Sequence, residues 1–288
     1  MSAMPAAAPA LLRRDLAVDP GHRKARVGLA ILAVLLLVAI FAPLLAPHDP
    51  DAIESGRVLR GLSLSHPFGS DALGRDVLSR VIFSFRVSLS VAVGSVVLSF
   101  LVGIPLGLIA GYRGGWVDTV IMRPVDMLLA LPALLLAIAL IAIVGPGSLI
   151  ALLAISVIYV PILARVIRSS TLVVTSQTFI EAARARGASS RRIVARHVLP
   201  NAIGPAVVQA SVLMGFALQI EAALSFLGLG AQPPTPSLGV MLADGRDVLT
   251  QAPWVEIFPG LAIAITVLAF NLIGDGLRER LDPRGVTR

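Results

Sequence analysis

Residues 127–164 read MLLALPALLLAIALIAIVGPGSLIALLAISVIYVPILA, which is a run of 38 residues without a charged side chain. A single helix of that length would extend roughly 57 Å, whereas the hydrocarbon core of a bilayer is about 30 Å thick. The sequence Gly145-Pro146-Gly147 interrupts the run, and this combination favours a tight turn over a continuous helix. The stretch therefore predicts two membrane-spanning helices joined by a very short loop.

The composition of the whole chain is that of a membrane protein. Of its 288 residues 56% are hydrophobic and 14% are charged, whereas an ordinary soluble domain has about 25% charged residues. The absence of cysteine excludes disulfide scaffolds, thiolate metal sites and thiol nucleophiles. The net charge of +7 is spread between long uncharged runs rather than gathered on one soluble face, so we expect no nucleic-acid partner. The one lysine, Lys24, lies between Arg23 and Ala25, so the chain lacks the Gly-Lys-[Ser/Thr] phosphate-binding loop. Any ATP-driven process would therefore need a partner that hydrolyses the nucleotide.

Six apolar runs, the first four of them without a charge, predict an all-α polytopic membrane protein with six transmembrane helices. The runs lie at about 27–46, 87–110, 127–144, 148–164, 203–229 and 255–273. Of the 24 Lys and Arg residues, 18 fall on one side if the N-terminus is inside and 6 fall on the other. The positive-inside rule therefore predicts that both termini are cytoplasmic.

These runs divide the chain into segments. The first run is too long for a signal-peptide core and has no convincing cleavage site, so we expect it to stay in place. The predicted segments are a cytoplasmic N-terminal segment (1–26), a first transmembrane helix (27–46), an extracytoplasmic segment with an amphipathic helix at about 71–80 (47–86), a core domain with five transmembrane helices (87–275) and a cytoplasmic tail (276–288). The core is expected to contain a cytoplasmic loop at 166–202 and an outer loop at 230–254.

The cytoplasmic loop has the local signals of two short helices. Thr175 or Ser176 is expected to cap the first helix, and residues 179–186 are strong helix formers. Gly187 suits the left-handed position that follows a helix. A second helix is expected to end at Pro200.

The same loop resembles the EAA motif of bacterial ATP-binding-cassette (ABC) importer permeases. The matching residues are Glu181-Ala182-Ala183, Gly187 and Leu199-Pro200, with the spacing of the family intact. The sequence His197-Val198-Leu199-Pro200-Asn201 is similar to the branch that serves dipeptides and oligopeptides, and to its C-type permease subunit. Four further stretches resemble that subunit, namely 66–76, 224–230, 232–237 and 270–278.

The resemblance implies a fold, a set of partners and a function. The fold would be the type I importer fold, also called MetI-like, in a bacterial inner membrane. The chain would pair with a second homologous permease subunit, with two cytoplasmic ATPase subunits and with an extracytoplasmic solute-binding protein, and it would contact membrane lipids. It would form half of the translocation path for di- or oligopeptides. ATP and Mg would be bound by the ATPases, so we expect no cofactor in this chain.

The family also implies roles for particular residues. The EAA helix is the coupling helix of such permeases, and it seats in a groove of the ATPase. By position, the docking residues would be Glu181, Ala182, Ala183, Arg184 and Gly187.

Two acidic residues are candidates for the translocation path. Glu221 is the acid placed deepest in an apolar run, and acids inside membranes usually face a cavity or a partner. It would bind the amino group of a peptide, pair within the permease dimer, or lie at the outer boundary. Asp126 is the second candidate, although an i,i+3 pair with Arg123 is favoured for it. His66 has no metal-ligand partner at a useful spacing, so we expect no metal site, and we find no catalytic constellation.

Alternative functions stay open at this point. The same machinery would serve for nickel or for another small solute. A proton-coupled secondary transporter would use Glu221 and Asp126 as a relay, but such carriers usually have internal repeats with broken helices, and none is evident here. An intramembrane enzyme would need a nucleophile and a base, and no such pair is visible.

Overall fold

The computed structural model describes residues 20–281, and in this part of the chain the fold is entirely helical. The predicted segments 1–26 and 276–288 lie partly outside the described residues. The helices are α1 (Pro20–Ile40), α2 (Ala42–Leu45), α3 (Val77–Arg113), α4 (Gly115–Leu129), α5 (Ala133–Val144), α6 (Ser148–Thr175), α7 (Thr178–Ala185), α8 (Ser190–Ile193), α9 (Leu199–Phe226), α10 (Leu238–Arg246) and α11 (Trp254–Leu281). A 3₁₀ turn at Ser55–Arg57 and a π-helical turn at Val194–Val198 complete the described secondary structure.

Four helical stretches are long and apolar enough to cross a membrane. They are Val77–Arg113, Ser148–Thr175, Ser190–Phe226 and Trp254–Arg280. Helices α4 and α5 meet at an angle of 95° and together offer a fifth crossing. The first predicted span corresponds to α1, whose initial turns carry three basic residues, followed after a turn at Phe41 by α2. The described fold is therefore all-α with four or five candidate spans.

The predicted amphipathic helix at 71–80 is corrected by the structure. Residues 71–76 form turns, which an isolated β-bridge between Ser70 and Asp76 closes. Helix α3 begins only at Val77, because the carboxylate of Asp76 caps it and accepts a hydrogen bond from the Ser79 amide at 2.8 Å. From there α3 continues for 37 residues, so its first turns belong to a spanning helix and not to a separate surface helix.

The stretch 127–164 also differs in part from its prediction. The turn at Gly145-Pro146-Gly147 is confirmed, since α5 ends at Val144 and α6 begins at Ser148. The expected helix at 127–144 is broken at residues 130–132, where α4 ends and α5 begins after Pro132. Proline disfavours a helical conformation in the residue before it, and this accounts for the break.

Two expectations for the cytoplasmic loop are wrong. Helix α6 continues through Thr175, and the residue that precedes α7 is Gln177, not Thr175 or Ser176. Pro200 does not end the second helix but lies near the start of α9, within a continuous helical stretch. The π-helical turn Val194–Val198 joins α8 to α9, so the chain from Ser190 to Phe226 is continuously helical.

The centre of the fold is the close packing of α3 against α6. A Cβ atom at Gly107 would overlap the carbonyl oxygen of Ala164 and lie 2.9 Å from the Cβ of Ile167. Gly103 makes a similar approach one turn earlier, where an added Cβ would lie 3.1 Å from the Cβ of Leu163. These two glycines therefore let the backbones of α3 and α6 approach closely.

Candidate functional site

Helix α7 carries the EAA motif on the surface of the molecule. Ile180 and Ala183 face inward and are 0% and 3% exposed. Glu181, Ala182 and Arg184 are exposed on the other side of the helix. The buried pair packs into an apolar cluster whose other buried members include Ile167, Val174, Ile193 and Val198. Ala183 therefore packs against its own subunit, and its contact with the ATPase stays a prediction.

The end of α7 is held by a pair of backbone hydrogen bonds. Gly187 adopts φ +77°, the left-handed conformation expected of it. Its amide donates to the Arg184 carbonyl at 2.9 Å, and the Ala188 amide donates to the Ala183 carbonyl at 3.1 Å. This pair of bonds is the Schellman motif, so the predicted glycine turn is confirmed.

Two aromatic side chains at α7 were missed by sequence reasoning. The guanidinium carbon of Arg184 lies 5.6 Å from the centre of the Tyr112 ring, at the end of α3. Phe179 remains 43% exposed, and its ring centre is 6.4 Å from that of His197. From the sequence, an aromatic residue next to Ile180 would be expected to be buried. The register of α7 instead leaves the Phe179 side chain exposed. The exposed surface of α7 therefore includes an aromatic ring, on a different side of the helix from Glu181.

Glu221 lies inside this subunit. Its side chain is 1% exposed, and Ser225 Oγ donates to its Oε1 at 2.8 Å. Ser225 Oγ in turn accepts from the Ala231 amide at 3.1 Å. A Cβ at Gly239 of α10 would overlap the backbone of Ala222, so α10 covers this part of α9. Among the described residues, Glu221 Oε2 has no hydrogen-bond partner.

Asp126 is paired with a different arginine from the predicted one. It accepts a hydrogen bond from Arg165 of α6 at 2.5 Å, and both side chains are 56% exposed. The expected pair with Arg123 is thus replaced by a contact between α4 and α6. Asp118 makes a second such contact, a bidentate pair with Arg168 at 2.5 Å. The structure does not bring Asp126 and Glu221 together, since each has its own neighbours on separate helices.

The segment before α3 brings together residues that are distant in sequence. His66 Nδ1 lies 2.8 Å from Asp76 Oδ1, and the ring of His48 stacks on that of His66 with centres 4.3 Å apart. The view that His66 has no ligand partner is therefore corrected, because ligand atoms of these three residues lie within 4.8 Å of one another. Arg57 contacts the second nitrogen of His66, so both ring nitrogens already have protein partners. The arrangement is that of a hydrogen-bonded support for the start of α3.

An ion-pair network ties this segment to α10. Arg80 is 2% exposed, and its guanidinium lies 3.8 Å from Asp71 and 3.8 Å from Asp244. Arg75 also contacts Asp244, at 3.1 Å. These ion pairs therefore hold the N-terminal end of α3 both to the segment before it and to α10.

Comparison with known proteins identifies this arrangement of helices. Residues 103–285 match the family described as binding-protein-dependent transport system inner membrane component. The chain belongs to this family. Residues 21–61 also match the N-terminal TM domain of oligopeptide transport permease C. The permease is therefore a subunit of an ABC importer in the inner membrane.

Individual relatives agree with this assignment. The permease is 46% identical to the dipeptide transport system permease protein DppC of Alkalihalophilus pseudofirmus, over 91% of this chain and 86% of the relative. It is 45% identical to the glutathione transport system permease protein GsiD of Pectobacterium atrosepticum, over 91% of this chain and 87% of the relative.

A solved structure shares the fold. The inward-facing MetNI methionine ABC transporter matches with a TM-score of 0.57 and 23% identity, over 73% of this chain and 97% of that chain. The permease is not an enzyme, since subunits of this family leave ATP hydrolysis to partner ATPases. Such importers work with ATPase and substrate-binding partners.

Proposed function

We propose that the permease forms half of the translocation path for di- or oligopeptides. The relatives that are named for dipeptide and for glutathione support a peptide-sized solute over nickel. We further propose six spans, with α1 as the first, and cytoplasmic termini, which the distribution of basic residues favours. The segment boundaries proposed above follow this topology, with the helix boundaries adjusted to those of the fold.

The proposed partners are a second homologous permease subunit, two cytoplasmic ATPases and an extracytoplasmic solute-binding protein. In this assembly ATP and Mg are bound by the ATPases. The observation that carries the proposal is α7, which is seated by two buried side chains and presents an exposed polar side at the end of a spanning helix. The proposed docking residues are those of the motif, namely Glu181, Ala182, Ala183, Arg184 and Gly187, with Phe179 added. Ala183 contributes by seating α7, and Gly187 shapes the turn.

The docking works through shape and charge. A short helix with small side chains enters a groove easily, and Ala182 keeps the exposed side of α7 thin between Glu181 and Arg184. Closure of the ATPase dimer on ATP would draw two such helices together and swing the attached spans between two states.

The path roles of Glu221 and Asp126 stay predictions. Glu221 has its hydrogen bond within this subunit, and Asp126 has its ion pair with Arg165. Glu221 would reach a solute only if another state of the transporter exposed it, whereas Asp126 would have to release Arg165.

The experiment is purification of the tagged permease from its native membrane in mild detergent, followed by mass spectrometry and by uptake in proteoliposomes. We expect a second permease and P-loop ATPases to copurify, and we expect uptake of small peptides to require ATP. Glu181→Lys should reduce uptake per ATP hydrolysed while the protein still inserts in the membrane. An active transporter that contains only this chain would refute the proposal and favour a proton-coupled carrier.

A further inference from the structure

Four amide side chains lie on surfaces of the spanning helices that are not fully packed within this subunit. Asn201, Gln209 and Gln219 belong to α9, and Asn271 belongs to α11. Three of them are exposed and Gln209 is half-buried. At 100° per residue the three side chains of α9 fall within about 80° of one another, so they share one side of the helix. Polar side chains in a span face a water-filled cavity or a partner rather than lipid.

This side of α9 opens into a groove against α11. The two helices approach closely at Gly274, where an added Cβ would lie 3.0 Å from Val212 Cγ2. Beyond this contact, toward the ends that carry Asn201 and Arg278, a groove of 780 Å³ separates them. Ligand pockets for small molecules are typically about 300–1,000 Å³. The groove is therefore large enough for a short peptide.

The groove has opposite charges at its wide end. Asp275 and Arg278 of α11 both line it. Glu279, the next acid along α11, forms an ion pair with Lys24 of α1 at 2.5 Å. Among residues 20–281 neither Asp275 nor Arg278 forms an ion pair. The groove therefore offers a carboxylate and a guanidinium to a molecule with both an ammonium and a carboxylate group, and Lys24 is the nearby charge that such a molecule would compete with at Asp275.

We propose that this wall of α9 and α11 lines the path and holds the peptide by its main chain. The inference rests on the proposed function and adds the residues that contact the solute. Amide side chains each offer a donor and an acceptor, which complement the N–H and C=O of a peptide bond regardless of the side chains of the solute. Asp275 and Arg278 recognise the charged termini. The wall accepts peptides of different sequence because it contacts the main chain and the charged termini, which all of them have.

The absence of cysteine from this chain makes a labelling test direct. Gln209→Cys places a thiol in the groove, and Val207→Cys is the matched control, because it lies two residues away on nearly the opposite side of α9 and is 37% exposed. The complex with its partners is studied in inside-out vesicles with a membrane-impermeant, cationic methanethiosulfonate reagent. We expect the Gln209→Cys variant to react about tenfold faster than the control, since only a water-filled groove admits the reagent.

Peptides identify the occupant. We expect dialanine, trialanine or glutathione to slow labelling of the Gln209→Cys variant severalfold, and N-acetyl-trialanine amide to slow it less, because its termini carry no charge. Equally slow labelling of both variants would mean that lipid or the second permease covers the groove, and it would overturn the inference. Fast labelling that none of the three peptides slows would overturn the peptide assignment.

The proposed function is checked separately in the same vesicles. ATPase copurification and ATP-dependent uptake are measured for the cysteine variants and for the unmodified complex. A complex that transports peptides while its groove stays unlabelled would overturn only this inference. A chain without ATPase partners would overturn the proposed function, whatever the labelling rates.

Discussion

Replacement of Gly187 tests whether the turn after α7 couples the permease to its ATPase. The residue has φ +77°, and a Cβ added there would meet no atom within 4 Å. Gly187→Ala therefore introduces backbone strain without a steric clash. Gly187→Asn is the matched control, because asparagine adopts the left-handed conformation more readily than other residues with a Cβ.

The expected magnitude follows from the backbone. A left-handed conformation costs an ordinary L-residue about 1–2 kcal/mol, which changes an equilibrium by a factor of about 5–30. The alternative conformation releases the two hydrogen bonds that Gly187 and Ala188 donate to the last turn of α7. The docking helix would then fray in a corresponding fraction of molecules. Gly187→Pro should be more severe, since proline cannot adopt a positive φ and has no amide proton to donate.

The assay is peptide uptake per ATP hydrolysed by the reconstituted complex. We expect this ratio to decrease from glycine to asparagine to alanine to proline, while the amount of permease in the membrane stays constant. Equal ratios for the alanine and asparagine variants would show that the left-handed turn is not what couples the two subunits. A normal ratio for the proline variant would exclude the coupling role of this turn altogether.

Three further substitutions test the packing and the docking surface. Gly107→Leu should lower the free energy of unfolding of the permease in detergent by more than about 2 kcal/mol, because the leucine side chain enters the contact with α6. Gly56→Leu is the control and should change this free energy little, since a Cβ there meets no atom within 4 Å. Asp118→Asn should lower the free energy of unfolding by about 1 kcal/mol, because it removes a partly exposed bidentate ion pair with Arg168. The double variant that exchanges Asp118 and Arg168 should recover part of the lost melting temperature. Phe179→Ala should weaken capture of the purified ATPase about tenfold in a pull-down, if the exposed ring is an anchor of the interface. Unchanged capture would remove Phe179 from the docking surface.

Features with a strong local signal could be predicted from the sequence. The turn at Gly145-Pro146-Gly147 and the left-handed Gly187 both depend on a few adjacent residues, and both are confirmed. The break at 130–132 was missed because a continuous apolar run masks the effect of a single proline. Pro200 was misjudged because a proline that ends one helix and a proline that starts another look alike in sequence.

The surroundings of the candidate site residues could not be predicted, because they depend on contacts between distant segments. Asp126 pairs with Arg165, which lies on another helix, rather than with its neighbour Arg123. Glu221 is covered by α10, a short helix that follows it after a proline-containing loop. Hydrophobic periodicity identifies which side of a helix is apolar, but it does not say which element packs there.

The length of α3 has a mechanical consequence. At the N-terminal end of α3, Arg80 holds the helix to α10. Near the C-terminal end, the ring of Tyr112 contacts Arg184 of α7. One helix of about 55 Å therefore connects the Arg80 ion pairs with α7. Pro105 is the one interior residue of this helix without an amide donor, and the helix yields to bending there more easily than elsewhere. Gly103 and Gly107, on either side of Pro105, hold this part of α3 close to α6. The contact with α6 therefore supports α3 at the point where the helix bends most easily, between the Arg80 network and Tyr112.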